Sequence, residues 1–169
     1  MDATALRAAQ QPLKDAYRDD PARAVVTLKR SGVVGEAVTC SVDTGRAISK
    51  AGLHVATGGD GQLLCSGDML LEALVACAGV TLGAVSTAMG IELRHATVHA
   101  QGDIDFRGTL GVSKEAPVGF SAIRLRFDLD TDADDEAVEK LVELTERYCV
   151  VLQTIRTATP VESLRHMVS

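Results

Sequence analysis

The chain has 169 residues, 46% of them hydrophobic but only 3% aromatic and none Trp, so a single domain-sized core must be filled by Ala, Val and Leu. A net charge of −6 excludes nucleic-acid binding through a general basic footprint and gives no attraction to anionic membranes. No apolar run reaches the roughly 18–20 residues of a membrane span, and the first residues lack the basic-then-apolar order of a secretory signal, so a cytoplasmic chain with thiol cysteines is expected.

Residues 1–22 are polar and Ala-rich, with Pro12 and Pro21, and suit a short surface helix over about 3–18. From Ala24 the β-favouring Val25, Thr27, Val33, Val38, Cys40 and Val42 are punctuated by Gly32, Gly35 and Gly45. Two or three short strands are expected there, ending near Ile48 or Val55. Residues 58–61 (Gly-Gly-Asp-Gly) form a loop and match no phosphate-binding pattern.

Ser66 is placed to cap a helix running to Met89, with Asp68 and Glu72 near its positive end. Met69, Ala73, Cys77, Val80 and Ala84 share one face, and Leu70, Leu74 and Thr81 widen it, so the helix should be central. Gly90 should terminate it. Two long strands follow. The first covers about 92–106; the second, residues 123–129, alternates strictly between apolar and charged and should have one wet face. Pro117 and Gly119 mark the connection between them.

The acidic stretch 131–135 caps a further helix with Val138, Leu141, Val142 and Leu144 or Thr145 on its apolar stripe and Arg147 at its negative end. Cys149 lies at the junction with another helical stretch, 150–156, and a strand over 161–165 is expected to close the sheet. The order β–β–α–β–β–α–α–β is α+β.

Cys77 and Cys149 are 72 positions apart, yet both fall on elements that should reach the core. An apolar helix interior suits Cys77 as a small buried hydrophobe, and a reactive thiol there would need a nearby cation. Cys149, after Arg147 and Tyr148, sits where the dipole of a following helix would favour a thiolate. Cys40 reads as a strand-interior hydrophobe and Cys65 as a small loop residue or a third redox thiol. His54, His95, His99 and His166 are scattered, and no Cys-x-x-Cys occurs, so no metal site is expected.

The Gly-rich loop, the run Ser-Gly-Asp-Met-Leu-Leu-Glu-Ala-Leu-Val-Ala-Cys-Ala-Gly-Val-Thr-Leu, two long strands and Arg-Tyr-Cys-Val-Val together resemble the OsmC/Ohr family, over about residues 25–166. The resemblance implies antiparallel sheets wrapped around a central cysteine-bearing helix in an intertwined homodimer. Residues 1–22 are then an N-terminal extension and 23–169 the OsmC-like domain.

It further implies a thiol-dependent peroxidase for organic hydroperoxides, with Cys77 the peroxidatic and Cys149 the resolving cysteine. An external dithiol would act as reductant, and neither a metal nor an organic cofactor is needed. Peroxidases of the family carry a Glu ten residues before the first cysteine; here Gly67 stands there, with Asp68 beside it as a shorter substitute. They also use an Arg from the N-terminal strands, for which Arg30 and Arg46 are the candidates. Val150 follows Cys149 where Pro is common, which puts the chain nearer the broad OsmC-like branch. The alternatives are a non-enzymatic protein binding a small hydrophobic ligand, and a redox sensor.

Overall fold

The computed structural model describes residues 3–35, 39–42, 52–62 and 64–167. Helix α1 (Ala3–Asp19) leads through a 3-10 turn (Pro21–Ala24) into strands β1 (Val25–Gly35) and β2 (Thr39–Val42). A 3-10 turn (Val55–Thr57) precedes α2 (Ser66–Met89), then β3 (His95–Asp105), the short α3 (Phe106–Thr109), β4 (Phe120–Asp130), α4 (Asp135–Tyr148) and α5 (Val150–Arg156). The expected strand ends near Ile48 lie outside the described residues.

The four strands form one antiparallel sheet in the order β2-β1-β3-β4. Side chains alternate across it as the pleat requires. On one face of β3, Ala96, Val98, Ala100 and Ile104 are buried. On the other face exposed polar groups pair across strands, Arg124 with Asp103 at 2.6 Å and His99 with Asp128 at 3.0 Å. Such exposed pairs add little stability but keep the outer face wet and set strand register.

Helix α2 lies on the apolar face. Leu71, Leu74, Val75, Ala78 and Leu82 are fully enclosed, about 3.6 residues apart, against β1 and β3 on one side and α4 and α5 on the other. By length and apolarity α2 is long enough to cross a membrane, contrary to the expectation that no run is long enough. Half of its most apolar stretch is buried within the fold, so its apolarity serves a core. The other side of α2 is left open by the described residues: Leu70, Ala73, Val80 and Ala84 are exposed along it.

The ends of α2 follow from local chemistry. The cap is Cys65, not Ser66: Cys65 is extended (φ −82°, ψ 157°), its carbonyl accepts the first helical bond from Met69 N–H at 3.2 Å, and its sulfur accepts from Asp68 N–H at 3.4 Å. Ser66 already takes helical dihedrals and so cannot cap. At the other end Gly90 adopts φ +69°, and Ile91 N–H reaches back to Ser86 O at 2.9 Å, closing a Schellman turn.

One expected element is absent. Residues 161–165 form no strand; Val161 and Leu164 are 87% and 88% exposed. A strand exists only by pairing, and this segment pairs with none of the described strands, although the order β2-β1-β3-β4 leaves one side of β4 open.

Candidate functional site

Cys77 stands midway along α2. Its carbonyl accepts from Thr81 Oγ1 at 2.8 Å, an ordinary back-bond of a helical threonine, so the helix continues unbroken past it. Cys149 occupies a break. Its N–H bonds Thr145 O at 3.0 Å and ends α4, while its carbonyl accepts from Gln153 N–H at 2.9 Å and starts α5. Because the α4–α5 corner packs on α2, the two thiols adjoin, and the Cys77 side chain acts directly on that of Cys149. Both are free thiols.

The pair is asymmetric. Cys77 is half-buried, whereas Cys149 is fully enclosed. Burial pushes the Cys149 thiol up to about 11, and the neighbouring Cys77 adds to the rise. The N–H groups of Leu152 and Val151 pull it back only in part. The sequence expectation that a helix dipole would favour a Cys149 thiolate is thus corrected: desolvation outweighs the short helix.

Burial also raises the pKa of Cys65 and Tyr17. All three acids hold protons in the folded state that they lose when unfolded, so their contribution is complete below the unfolded values and fades as pH rises through the folded ones. For Cys149 that window runs from its ordinary value near 9 to about 11. We expect the urea midpoint to fall between about pH 8 and 10.5, and to fall less in Cys149→Ser. A wild-type midpoint that holds steady across that range contradicts the assignment.

Next to Cys77 on the open side of α2, a cavity of about 460 Å³ runs toward α4, lined by Val80, Thr81, Ala84, Val85, Leu144 and Tyr148 among others. Val80, Thr81 and Ala84 follow Cys77 by three, four and seven residues, so the cavity continues along the cysteine's own face. Its walls are almost wholly apolar and fit the organic part of a small molecule.

The other expected site residues separate from this pair. Asp68 is buried in the first turn of α2, where its Oδ2 accepts from the Cys65 thiol at 3.3 Å. Nine helical residues put it about 13 Å along the axis and half a turn round from Cys77. Arg30 pairs in register with Ala100, a position buried under α2; its side chain, like that of Cys40 and the whole of Arg46, lies outside the described residues. Among the described residues no three His, Cys, Asp or Glu side chains converge as a metal site would require.

Two features escaped sequence reasoning. Glu72, read as an acid near the first turn of α2, is buried. His54 stacks on Phe106 with ring centroids 5.0 Å apart and planes at 17°, and its Nδ1 accepts from Ala56 N–H at 3.0 Å. Nothing local in the sequence signals a contact spanning so many residues.

A cysteine-bearing helix laid on an antiparallel sheet, with a second thiol delivered by a helix corner, defines an α+β dithiol protein. The sequence model for "OsmC-like protein" matches residues 59–163, and the chain belongs to that family. Among solved structures it is similar to an OsmC-like hydroperoxide resistance protein from Jannaschia sp. CCS1, with 17% identity and a TM-score of 0.60 over 86% of this chain and 94% of that one. No curated protein matches the chain.

Proposed function

We propose that the chain is a thiol-dependent peroxidase that reduces organic hydroperoxides through a Cys77–Cys149 dithiol–disulfide cycle. The observation that carries this reading is the meeting of the two thiols, one half-open and one enclosed. Membership of the OsmC-like family and the hydroperoxide-resistance function named for its structural neighbour support it.

The accessible Cys77, as thiolate, attacks the distal peroxide oxygen. The O–O bond breaks, the alkoxide leaves and takes up a proton as alcohol, and Cys77 becomes a sulfenic acid. Cys149 then attacks the Cys77 sulfur; its proton goes to the departing hydroxyl, water is lost and a disulfide forms. An external dithiol returns both to thiols by exchange. The apolar cavity beyond Val80 receives the organic part of the peroxide. Cys149, protonated and dry, does not compete for peroxide but waits beside the sulfur it must attack.

Intact mass and thiol count before and after one equivalent of cumene hydroperoxide test the cycle. Loss of two thiols, mapped to a Cys77–Cys149 bridge, is the expected result. Untouched thiols, at a dose that oxidises a reference peroxidase, would favour the non-enzymatic reading in which the same cavity simply holds a small hydrophobic ligand. One oxidation without turnover would favour a redox sensor.

The working unit in this reading is a homodimer. Val80 and Ala84 of α2, Val150 at the corner, and Val161 and Leu164 of the tail are exposed apolar side chains of the kind a second chain covers. Light scattering coupled to size exclusion should give the mass of two chains; a stable monomer at micromolar concentration would exclude it.

A further inference from the structure

A second cavity, of about 410 Å³, opens at the other end of α2. Its apolar wall is Leu53, Leu70, Ile104, Phe106, Val118 and Phe120. Among the described residues lining it there is neither Cys77 nor Cys149, so it is separate from the dithiol. Its volume falls within the range of small-molecule sites, roughly 300–1,000 Å³.

The polar groups are few and specific. His54 lines the cavity and lies flat against Phe106. Because Nδ1 accepts a backbone N–H, the neutral ring carries its proton on Nε2, and no described residue hydrogen-bonds to that nitrogen. Burial lowers the His54 pKa, which keeps the ring uncharged. The Cys65 thiol, also in the wall, is occupied by Asp68. Among the described residues the cavity therefore offers two aromatic faces, an apolar lining and the His54 Nε2–H as a donor, with the Ser66 hydroxyl also in the wall.

The loop that supplies Leu53, His54 and Thr57 is tied down from outside. Tyr17 Oη of α1 donates to Ala56 O at 2.7 Å, and Gln10 Nε2 donates to Thr57 O at 3.2 Å. Tyr17 is buried in doing so. Both α1 and His54 precede the stretch that the family model matches.

We propose that this cavity is a second small-molecule site, for an uncharged ligand with an apolar, ring-bearing body and one hydrogen-bond acceptor, and that α1 is the strap that holds its loop wall in place. The probe is prodan, a neutral naphthalene ketone whose emission shifts to the blue in an apolar site, titrated into the full-length protein. Saturable binding at one probe per chain is expected. Val118→Trp, at a position 67% exposed on the cavity rim, should weaken it about tenfold or more by filling the space. Leu53→Trp, from the facing loop, should do the same without touching β4. Tyr17→Phe should weaken binding about threefold through the loosened loop, and the Cys77→Ser/Cys149→Ser double variant should bind as the wild type does. Absence of saturable binding overturns the proposal. So does binding that survives both tryptophans, because the probe would then sit elsewhere, and binding unaffected by Tyr17→Phe removes the strap.

Discussion

Cys77→Ser is expected to lower organic hydroperoxide turnover by about a thousandfold or more, equivalent to roughly 4 kcal/mol of barrier. A serine hydroxyl at that position is not ionised at neutral pH and has no sulfur to carry the oxidation. Cys149 cannot take over. It is fully enclosed, and with its pKa pushed up to about 11 only roughly one molecule in ten thousand carries the thiolate at pH 7. Cys149→Ser should behave differently: one equivalent of peroxide is consumed, then Cys77 remains as sulfenic acid and drifts to sulfinic under excess peroxide. A ferrous-iron peroxide assay and intact mass separate the two. Wild-type turnover in Cys77→Ser would remove the thiol from the chemistry altogether.

Leu74→Ala is expected to cost about 2–5 kcal/mol of folding free energy, a large part of the roughly 5–15 kcal/mol that holds a domain together. Leu74 is fully enclosed on the inward face of α2, where the rigid sheet beneath limits collapse into the cavity left behind. Urea unfolding should show the midpoint fall with little change in slope. A loss below about 1 kcal/mol would mean that this face of α2 is not packed as described. Val80→Ala, on the outward face, provides the contrast. It should cost under about 0.5 kcal/mol in an isolated chain and clearly more where a second chain covers the helix.

The parts of this molecule that were legible in its sequence are those written in local periodicity. The stop of α2 at Gly90, the alternation of residues 123–129 and the acidic cap before α4 each depend on neighbours within a turn or a strand, and the structure has all three. The core face of α2 was misplaced: Ala73, Val80 and Ala84 are exposed, and Leu71, Val75, Ala78 and Leu82, with Leu74, are the buried set. Features decided by distant partners were not legible. Cys65 rather than Ser66 caps α2 because the chain enters the helix extended through residue 65, and its sulfur is turned toward Asp68. Asp68 and Glu72 read as acids near the positive end of α2, and their burial was not legible. His54 gains its neighbour Phe106 only through the packing of the loop on α3. Residues 161–165 show the reverse error, a strand-like pattern that pairs with none of the described strands. Of the candidate site, the approach of Cys77 to Cys149 was foreseeable, because both lie on core-facing elements; the raised pKa of Cys149 was not, because burial is a property of the finished fold.

The chain has two tyrosines and no tryptophan. Tyr17 is enclosed where α1 grips the Ala56 carbonyl. Tyr148, 57% exposed and stacked under the Arg147 guanidinium at 5.5 Å, directly precedes Cys149. With no indole to swamp them, the near-ultraviolet emission of the protein comes from these two phenols. A water-soluble quencher reaches Tyr148 and is kept from Tyr17. The quenched fraction thus watches the corner that carries the enclosed thiol, and the protected fraction watches the N-terminal fastening, so the protein is its own label-free optical reporter for two regions at once.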